Sequence, residues 1–443
     1  MCLPTARPST MLNVHLTSKE IIKPSSPTPA HLRTMPLSIA DQLGPDIYIQ
    51  AILFYPADGA AAADKAALLK DSLSTTLKYF HPLAGRLSGD IVRADVHVDC
   101  NDQGAAFYEA TVDCHLDTVL QRPPMGEMYK LMPNNGANMR EGDPLLAVQL
   151  NVFACGGLAL GVCISHQVAD AASMSLFLNS WTEVARGGEL GSPPRFHAAS
   201  VLPPANLPYA LVPRKVAGSL PKRFVIRAPE MDRLREETGY ARVQHPTRVE
   251  AVSALLWRCV LRARPKVAAE DQDDSRKIPV ALINVNLRKK MPEELSDLSF
   301  GSLITWAFVV DDSAERINVS EREQQAGYVE KSMRDAVRSV NGDFVREQVE
   351  GFLSGQTLLD EATMDTMEFS SWCRFPFYDM DFGWGGPAWY CSVMKDLVNL
   401  AVLADTKDGK GVEMWVWLPE EDMERFQRDP ELLAFVDPDS ISF

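Results

Sequence analysis

The chain has no apolar run long enough to cross a bilayer, which takes roughly 20 consecutive apolar residues as a helix. Its eight cysteines, at 2, 100, 114, 155, 163, 259, 373 and 391, show neither metal-ligand spacing nor a disulfide framework. Cys155 and Cys163 lie in apolar, strand-like runs where reduced core thiols belong, so a reducing, cytoplasmic setting is expected. Basic residues are in deficit. Lys and Arg number 44 against 59 Asp and Glu, and the net charge of −15 argues against nucleic acid as a partner. Any anionic ligand must then be met by a local basic patch. There is no Walker loop, no Gly-x-Gly-x-x-Gly, no His-Glu-x-x-His, no Gly-x-Ser-x-Gly and no repeat of fixed period. These absences set aside P-loop chemistry, dinucleotide binding, zinc proteolysis and elbow-serine hydrolysis. Nothing in the residues points to a metal or a permanently bound cofactor. Met1 to Thr17 has one Arg, no acid and too few apolar residues for a secretory signal. Met11 offers a second start, which would make residues 1–10 an appendage.

What is present is ordinary globular composition, 46% hydrophobic and 23% charged, over 443 residues. That length exceeds one core and suits two domains. Tyr48–Tyr55 is aromatic and β-branched and predicts a strand. Apolar positions 67, 68, 69, 73 and 77 predict a helix from Asp64 to Phe80. Val96–Cys100 and the run from Ala105 predict further strands. Leu145–Phe153 and Leu158–Ile164 flank Ala154-Cys-Gly-Gly157 and predict a hairpin. Residues 189–221 hold seven prolines and little periodicity, the pattern of an interdomain crossover. The expected domains are residues 1–195 and 222–443, with 196–221 as the proline-rich linker and some C-terminal strands crossing to the first domain. Lys222–Ile226, Ile278–Asn286 and Leu303–Val310 predict strands. Ala228–Glu237, Thr247–Arg264 and Ser320–Ser339 predict helices, and Glu270–Asp274 a solvated acidic loop. Leu397–Ala404 and Gly411–Leu418 predict a second hairpin, and a terminal helix starts at Pro419. Hairpins mixed with helices give an α/β class with mixed sheets.

One stretch carries recognisable chemistry. Ser165-His166-Gln-Val-Ala-Asp170 follows the apolar run Leu158–Ile164 and precedes a helical pattern from Ala171 to Trp181. The order strand, His, turn, helix holds an imidazole rigidly at the end of a buried strand and leaves it reachable from a cleft. Its ordinary pKa is near neutrality, so it can take a proton from a hydroxyl or amine. Asp170, at the helix start, suits the positive end of the helix dipole. Of the eight histidines only His166 has Asp at the fourth position. A half-buried histidine followed by a capping aspartate is the alternative reading of this stretch. A second unusual stretch, Phe375-Pro-Phe-Tyr-Asp-Met-Asp-Phe-Gly-Trp-Gly-Gly-Pro387, places glycines 383, 385 and 386 around Trp384 and predicts a tight loop with an aromatic anchor.

Together, His166-Gln-Val-Ala-Asp170 and Asp381-Phe-Gly-Trp-Gly385 resemble the plant BAHD acyl-CoA-dependent acyltransferases. Pro24-Ser-Ser-Pro-Thr-Pro29, Pro82-Leu-Ala-Gly-Arg86, Val98-Asp-Cys-Asn-Asp102, Asn286-Leu-Arg288, Ser371-Trp-Cys-Arg374 and Asp405-Thr406 extend the resemblance over nearly the whole chain, most of all toward alkaloid and terpenol acetyltransferases. The resemblance implies two chloramphenicol-acetyltransferase-like domains with the active-site channel at their interface. It implies acyl-CoA, above all acetyl-CoA, as co-substrate and a small-molecule acceptor as the other partner, in a monomer. His166 matches the general base that deprotonates the acceptor in a ternary complex. Asp170 matches a structural, orienting residue, with Arg288 as its ion-pair partner. Asp381, Gly383, Trp384 and Gly385 match a motif that shapes the fold near the channel. Thr247 and Arg248, with Ser253 further along, fall on the segment that approaches the CoA phosphates, though residues there also suit helix capping.

Two departures stand out. Gly301-Ser302 replaces the family's usual Gly-Asn, which makes Ser302 a candidate oxyanion donor. His81 replaces tyrosine and is expected to be structural. The leading reading is acyl transfer to a hydroxyl of a plant specialised metabolite. N-acylation of an amine and a non-catalytic, partner-modulating role are the alternatives.

Overall fold

The apolar runs become strands because each has two faces to bury. Tyr48–Tyr55 is buried along its whole length, pairs antiparallel with Leu158–Ser165 through Leu53↔Leu160, and so lies inside a covered sheet. The structure, a computed structural model, describes residues 11–136, 140, 142–210, 216, 218–239, 245–264, 277–292, 294–310, 328–356 and 363–440. Residues 1–10, the loop Glu270–Asp274, residues 320–327 of the predicted helix and residues 211–215 and 217 of the crossover lie outside these.

The first sheet has six strands in the order Val14–Ile22, Ala105–Val112, Leu146–Phe153, Leu158–Ser165, Tyr48–Tyr55, Trp389–Cys391. Its second and third strands are parallel and its other pairs antiparallel. Trp389–Cys391 comes from late in the chain and adds to the edge of Tyr48–Tyr55. The second sheet, also six-stranded, runs Ile304–Val310, Ile278–Asn286, Met364–Ser371, Leu400–Asp405, Val412–Trp417, Lys222–Ile226. Met364–Ser371 is parallel to both of its neighbours. A small sheet joins Thr34–Pro36, His97–Asp99 and Arg86–Ser88. The class is α/β, with mixed sheets in two sheet-rich domains.

Helices cover the sheets with their apolar stripes. Ala62–Tyr79 buries Leu69, Leu73 and Leu77. Ala171–Ala185 buries Phe177, Leu178 and Trp181 beside it, and the Trp181 indole N–H donates to Ser72 Oγ at 2.9 Å. Arg248–Ala263 buries Leu255, Leu256, Trp257 and Val260 against the second sheet. Each such side chain contributes about 1.5–3 kcal/mol on leaving water. His81 is buried edge-on to Phe196, ring centroids 5.0 Å apart, and burial lowers its pKa to about 4. No described helix is long and apolar enough to cross a membrane.

Both predicted hairpins form, with Gly156 (φ 83°) and Gly409 (φ 68°) supplying the left-handed turn residues. Among the elements beyond the sequence expectations are the edge strand Val14–Ile22, the helix Gly342–Leu353 and the central strand Met364–Ser371.

Candidate functional site

His166 closes the strand Leu158–Ser165, and its backbone N–H donates to Ile47 O at 2.9 Å. Val168 and Ala169 are fully buried and anchor the following turn. Asp170 caps the helix Ala171–Ala185, with Oδ1 accepting from Ser173 N at 2.8 Å, which satisfies one of the helix's free amides. The same carboxylate meets Arg288. Nη1 lies 2.7 Å from Oδ2 and Nη2 3.1 Å from Oδ1, a bidentate pair with side chains 1% and 3% exposed. Arg288 sits in the short turn after Ile278–Asn286, where Asn286 Oδ1 accepts its backbone N–H at 3.0 Å. It also donates to Ser299 O at 2.8 Å and Ser173 Oγ at 2.8 Å. Leu303 N donates to Asp170 Oδ2 at 3.0 Å. The loop Ser299–Leu303 is thereby stitched to the His166 turn.

The imidazole is half-buried. Nδ1 lies 3.2 Å from Ser302 Oγ. A neutral ring protonated at Nδ1 donates to that oxygen and leaves Nε2 to accept a proton. Burial lowers the His166 pKa, outweighing the opposite pull of its own carbonyl and of Asp170. The ring is therefore neutral, the state a base requires.

Ser302, the candidate oxyanion donor, sits against the imidazole. It is fully buried, and its backbone N–H is held by Asp41 Oδ1 at 2.6 Å. Its short side chain lies 3.2 Å from His166 Nδ1 and can fix the orientation of the ring. Asp41 is fixed in turn by a capping box with Ser38, at 2.8 Å to the N–H and 2.6 Å to the hydroxyl. Gly44 completes the support. A Cβ there would stand 2.7 Å from His166 O and 2.9 Å from Asp41 O, so only glycine fits. For Ser302→Ala the expected result is a fall in kcat of about tenfold, the scale of one lost hydrogen bond. KM and melting temperature should hold. Initial rates over a substrate series separate these outcomes, and a fall in stability without a kcat effect would reduce Ser302 to a packing residue.

His166 opens on a cavity of about 370 Å³ between the two sheet systems. Leu43, Pro45, Ile47 and Ala171 line one side, and one face of the second sheet forms the other. That face presents Asn284, Trp306, Glu368 and Leu400 from four adjacent strands.

Asp381 Oδ1 accepts the N–H groups of Gly383 and Gly385, both at 2.7 Å, and these glycines have φ of 112° and 91°. Trp384 stacks on Phe382 and meets Tyr55 edge-on. Arg186 donates to the Asp381 carbonyl. The loop lies off the cavity lining and ties helix to sheet.

Thr247 caps its helix in a box with Glu250. Arg248 pairs with Asp405 at 2.6 Å and donates to Gly409 O and Gly411 O. Ser253 is 3% exposed among packed helix residues. All three already have intramolecular places, and Ser253 presents no surface to a phosphate. Cys259, Asp429 and Glu431 lie within ligand distance of one another, but Arg262 is paired with both carboxylates at 2.7 and 2.6 Å, so a guanidinium already supplies the cation. The supporting residues that sequence reasoning missed are Asp41 and Gly44; on the cavity wall it missed Asn284, Trp306 and Glu368. The Ser38-x-x-Asp41 capping spacing was the available signal for the first pair.

The family model described as "Transferase family" matches residues 12–433. A limonoid 21-O-acetyltransferase of Citrus sinensis is 35% identical over 447 residues, covering 98% of this chain and 100% of the relative. The crystal structure of vinorine synthase matches with TM-score 0.81 and 31% identity, over 97% of this chain and 100% of that one. That of F. graminearum TRI101 complexed with coenzyme A and T-2 mycotoxin matches with TM-score 0.70 over 91% and 99%. At 16% identity, this last likeness speaks for the fold alone.

Proposed function

The chain belongs to the Transferase family of BAHD acyl-CoA-dependent acyltransferases, and from that premise we propose the reaction and the residues that carry it. It transfers an acyl group from a CoA thioester to a hydroxyl of a plant specialised metabolite. A relative's name places limonoid O-acetylation in this family, and acetyl is the donor we assign.

His166 acts as general base through Nε2. As the acceptor oxygen attacks the thioester carbonyl, the hydroxyl proton passes to Nε2 and the new C–O bond forms. The tetrahedral oxyanion then collapses, the C–S bond breaks, and the imidazolium returns the proton to the departing thiolate. The products are an ester and free CoA. Asp170 and Arg288 hold the turn and loop, and Ser302 and Asp41 hold the ring. The observation that carries this reading is an imidazole engaged at Nδ1 on the wall of a cavity between the two sheets, where burial favours its neutral form. We extend it to a monomer in the cytoplasm, a setting that suits the free, buried thiols of Cys163, Cys259 and Cys391.

The test is CoA release. Purified protein receives acetyl-CoA, then longer and aromatic acyl-CoAs, each with a panel of alcohols and amines, and products are read by mass. Acceptor-dependent thiol release with an ester product, fastest for acetyl-CoA, is expected. An amide product, or thiol release that ignores the acceptor, overturns it.

A further inference from the structure

The cavity contains a carboxylate that the acyl-transfer steps do not use. Glu368 lies on Met364–Ser371, the strand parallel to both of its neighbours at the centre of the second sheet. Period-two alternation sends Met367 and Phe369 into the core behind the sheet, and Thr366, Glu368 and Ser370 to the cavity. Two groups on the cavity lining bear a carboxylate, Asp170 and Glu368, and Asp170 is neutralised by Arg288. Among the described residues no Lys or Arg lines the cavity. Glu368 is half-buried, and no countercharge faces it from that lining.

Among the described residues only neutral donors face it, the Asn284 amide and the Trp306 indole N–H. Asn284 Nδ2 donates to Glu368 Oε1 at 2.7 Å, and that bond fixes the amide so that Oδ1 is the atom left over. Asn284 Oδ1 is buried with no hydrogen-bond partner. Asn399 Oδ1 is likewise buried and unpartnered, on the residue whose backbone carbonyl accepts the Glu368 N–H at 2.8 Å. Trp306, opposite Asn284 in the sheet register, adds an indole to the same wall. A carboxylate met only by neutral donors, beside an aromatic ring and on a wall with no Lys or Arg, suits a cation. Burial raises the Glu368 pKa, and an incoming positive charge is what would hold it ionised.

We propose that Glu368 selects an acceptor bearing a protonated nitrogen, so that the substrate is a basic amino alcohol. This rests on the acyltransferase reading and narrows its substrate class. The nitrogen is a recognition group and not the nucleophile. Paired with a carboxylate it keeps its proton and has no lone pair to attack with, so the acylated atom is a hydroxyl placed at His166.

The experiment uses a matched pair of probes, 3-quinuclidinol and its carbon-only counterpart bicyclo[2.2.2]octan-2-ol. Equilibrium binding of each to the whole protein is measured by calorimetry. The wild type is expected to bind the amine at least tenfold more tightly, and Glu368→Gln, the same shape without the charge, to erase that preference. Equal binding of the two probes to wild type, or binding of neither, overturns the proposal whether or not the variant folds. So does a preference that survives in Glu368→Gln with an unchanged melting temperature. Acceptor-dependent CoA release by the wild type on neutral alcohols is scored separately. If it occurs without an amine preference, the substrate class falls and the acyltransferase reading stands. If the preference holds while no acceptor releases CoA, the reverse is true.

Discussion

His166→Ala is expected to lower kcat by about 10²–10⁴-fold, the range contributed by a positioned general base. KM for acyl-CoA should change little, because the imidazole meets the acceptor's proton and not the thioester's remote groups. Folding should survive: the side chain makes one hydrogen bond, to Ser302, and the backbone bond to Ile47 O remains. The pH profile gives a second reading. The active form is the neutral ring, and protonation as pH falls removes the base. Burial lowers the pKa, so the acidic limb of kcat/KM should fall below the ordinary histidine value of about 6.5. Initial rates across that range, on wild type and variant at matched melting temperature, check both statements. Undiminished turnover in the variant would remove His166 from the chemistry, and a limb above the ordinary value would contradict the half-buried, neutral ring.

The legible and illegible parts of this site differ in the range of the contacts that create them. His166 and Asp170 were readable because strand end, turn and helix cap are consecutive in sequence. Arg288 stands 118 residues from Asp170, and only the family resemblance, not any local pattern, proposed the pair. Asp41 reaches Ser302 across 261 residues, so its capping-box signature announced a helix start and nothing more. Ser302 was placed by analogy with an asparagine. The shorter side chain, with its N–H already held by Asp41, settles on the imidazole. Thr247 and Arg248 also came from the resemblance, and in the fold one caps its helix while the other pairs with Asp405.

The central strand Met364–Ser371 escaped notice for a related reason. Strand signals weigh apolar and β-branched content, and its cavity face is Thr366, Glu368 and Ser370. The alternation is present, with Met367 and Phe369 on the core side, but a central strand with one polar face looks like an exposed strand until the cavity in front of it is known. Functional cavities put polar groups where a fold rule expects apolar ones. The cavity's unpaired carboxylate was therefore among the residues least visible in sequence.

Arg288→Ala should cost about 3–5 kcal/mol of stability, because it strands Asp170 as an uncompensated charge in the interior. With ordinary domain stabilities of about 5–15 kcal/mol, that is a large share. Asp170 would keep the amides of Ser173 and Leu303 but lose both guanidinium contacts, while Ser173 Oγ and the carbonyls of Ser299 and Gly301 lose their charged donor. Asp170→Asn should be comparably costly, since it leaves the guanidinium unpaired. The pair Asp170→Asn with Arg288→Met buries no stranded charge and should recover part of the loss. Chemical denaturation of wild type, the two singles and the double gives the coupling directly. Singles that each lose less than about 1 kcal/mol would place the pair with exposed ion pairs, contrary to its burial. Activity should follow stability in this series but exceed it in sensitivity. The loop that Arg288 holds carries Ser302, and Ser302 orients the imidazole. A small shift of that loop moves the base without unfolding the domain, so kcat should fall in the double variant even where stability has largely returned.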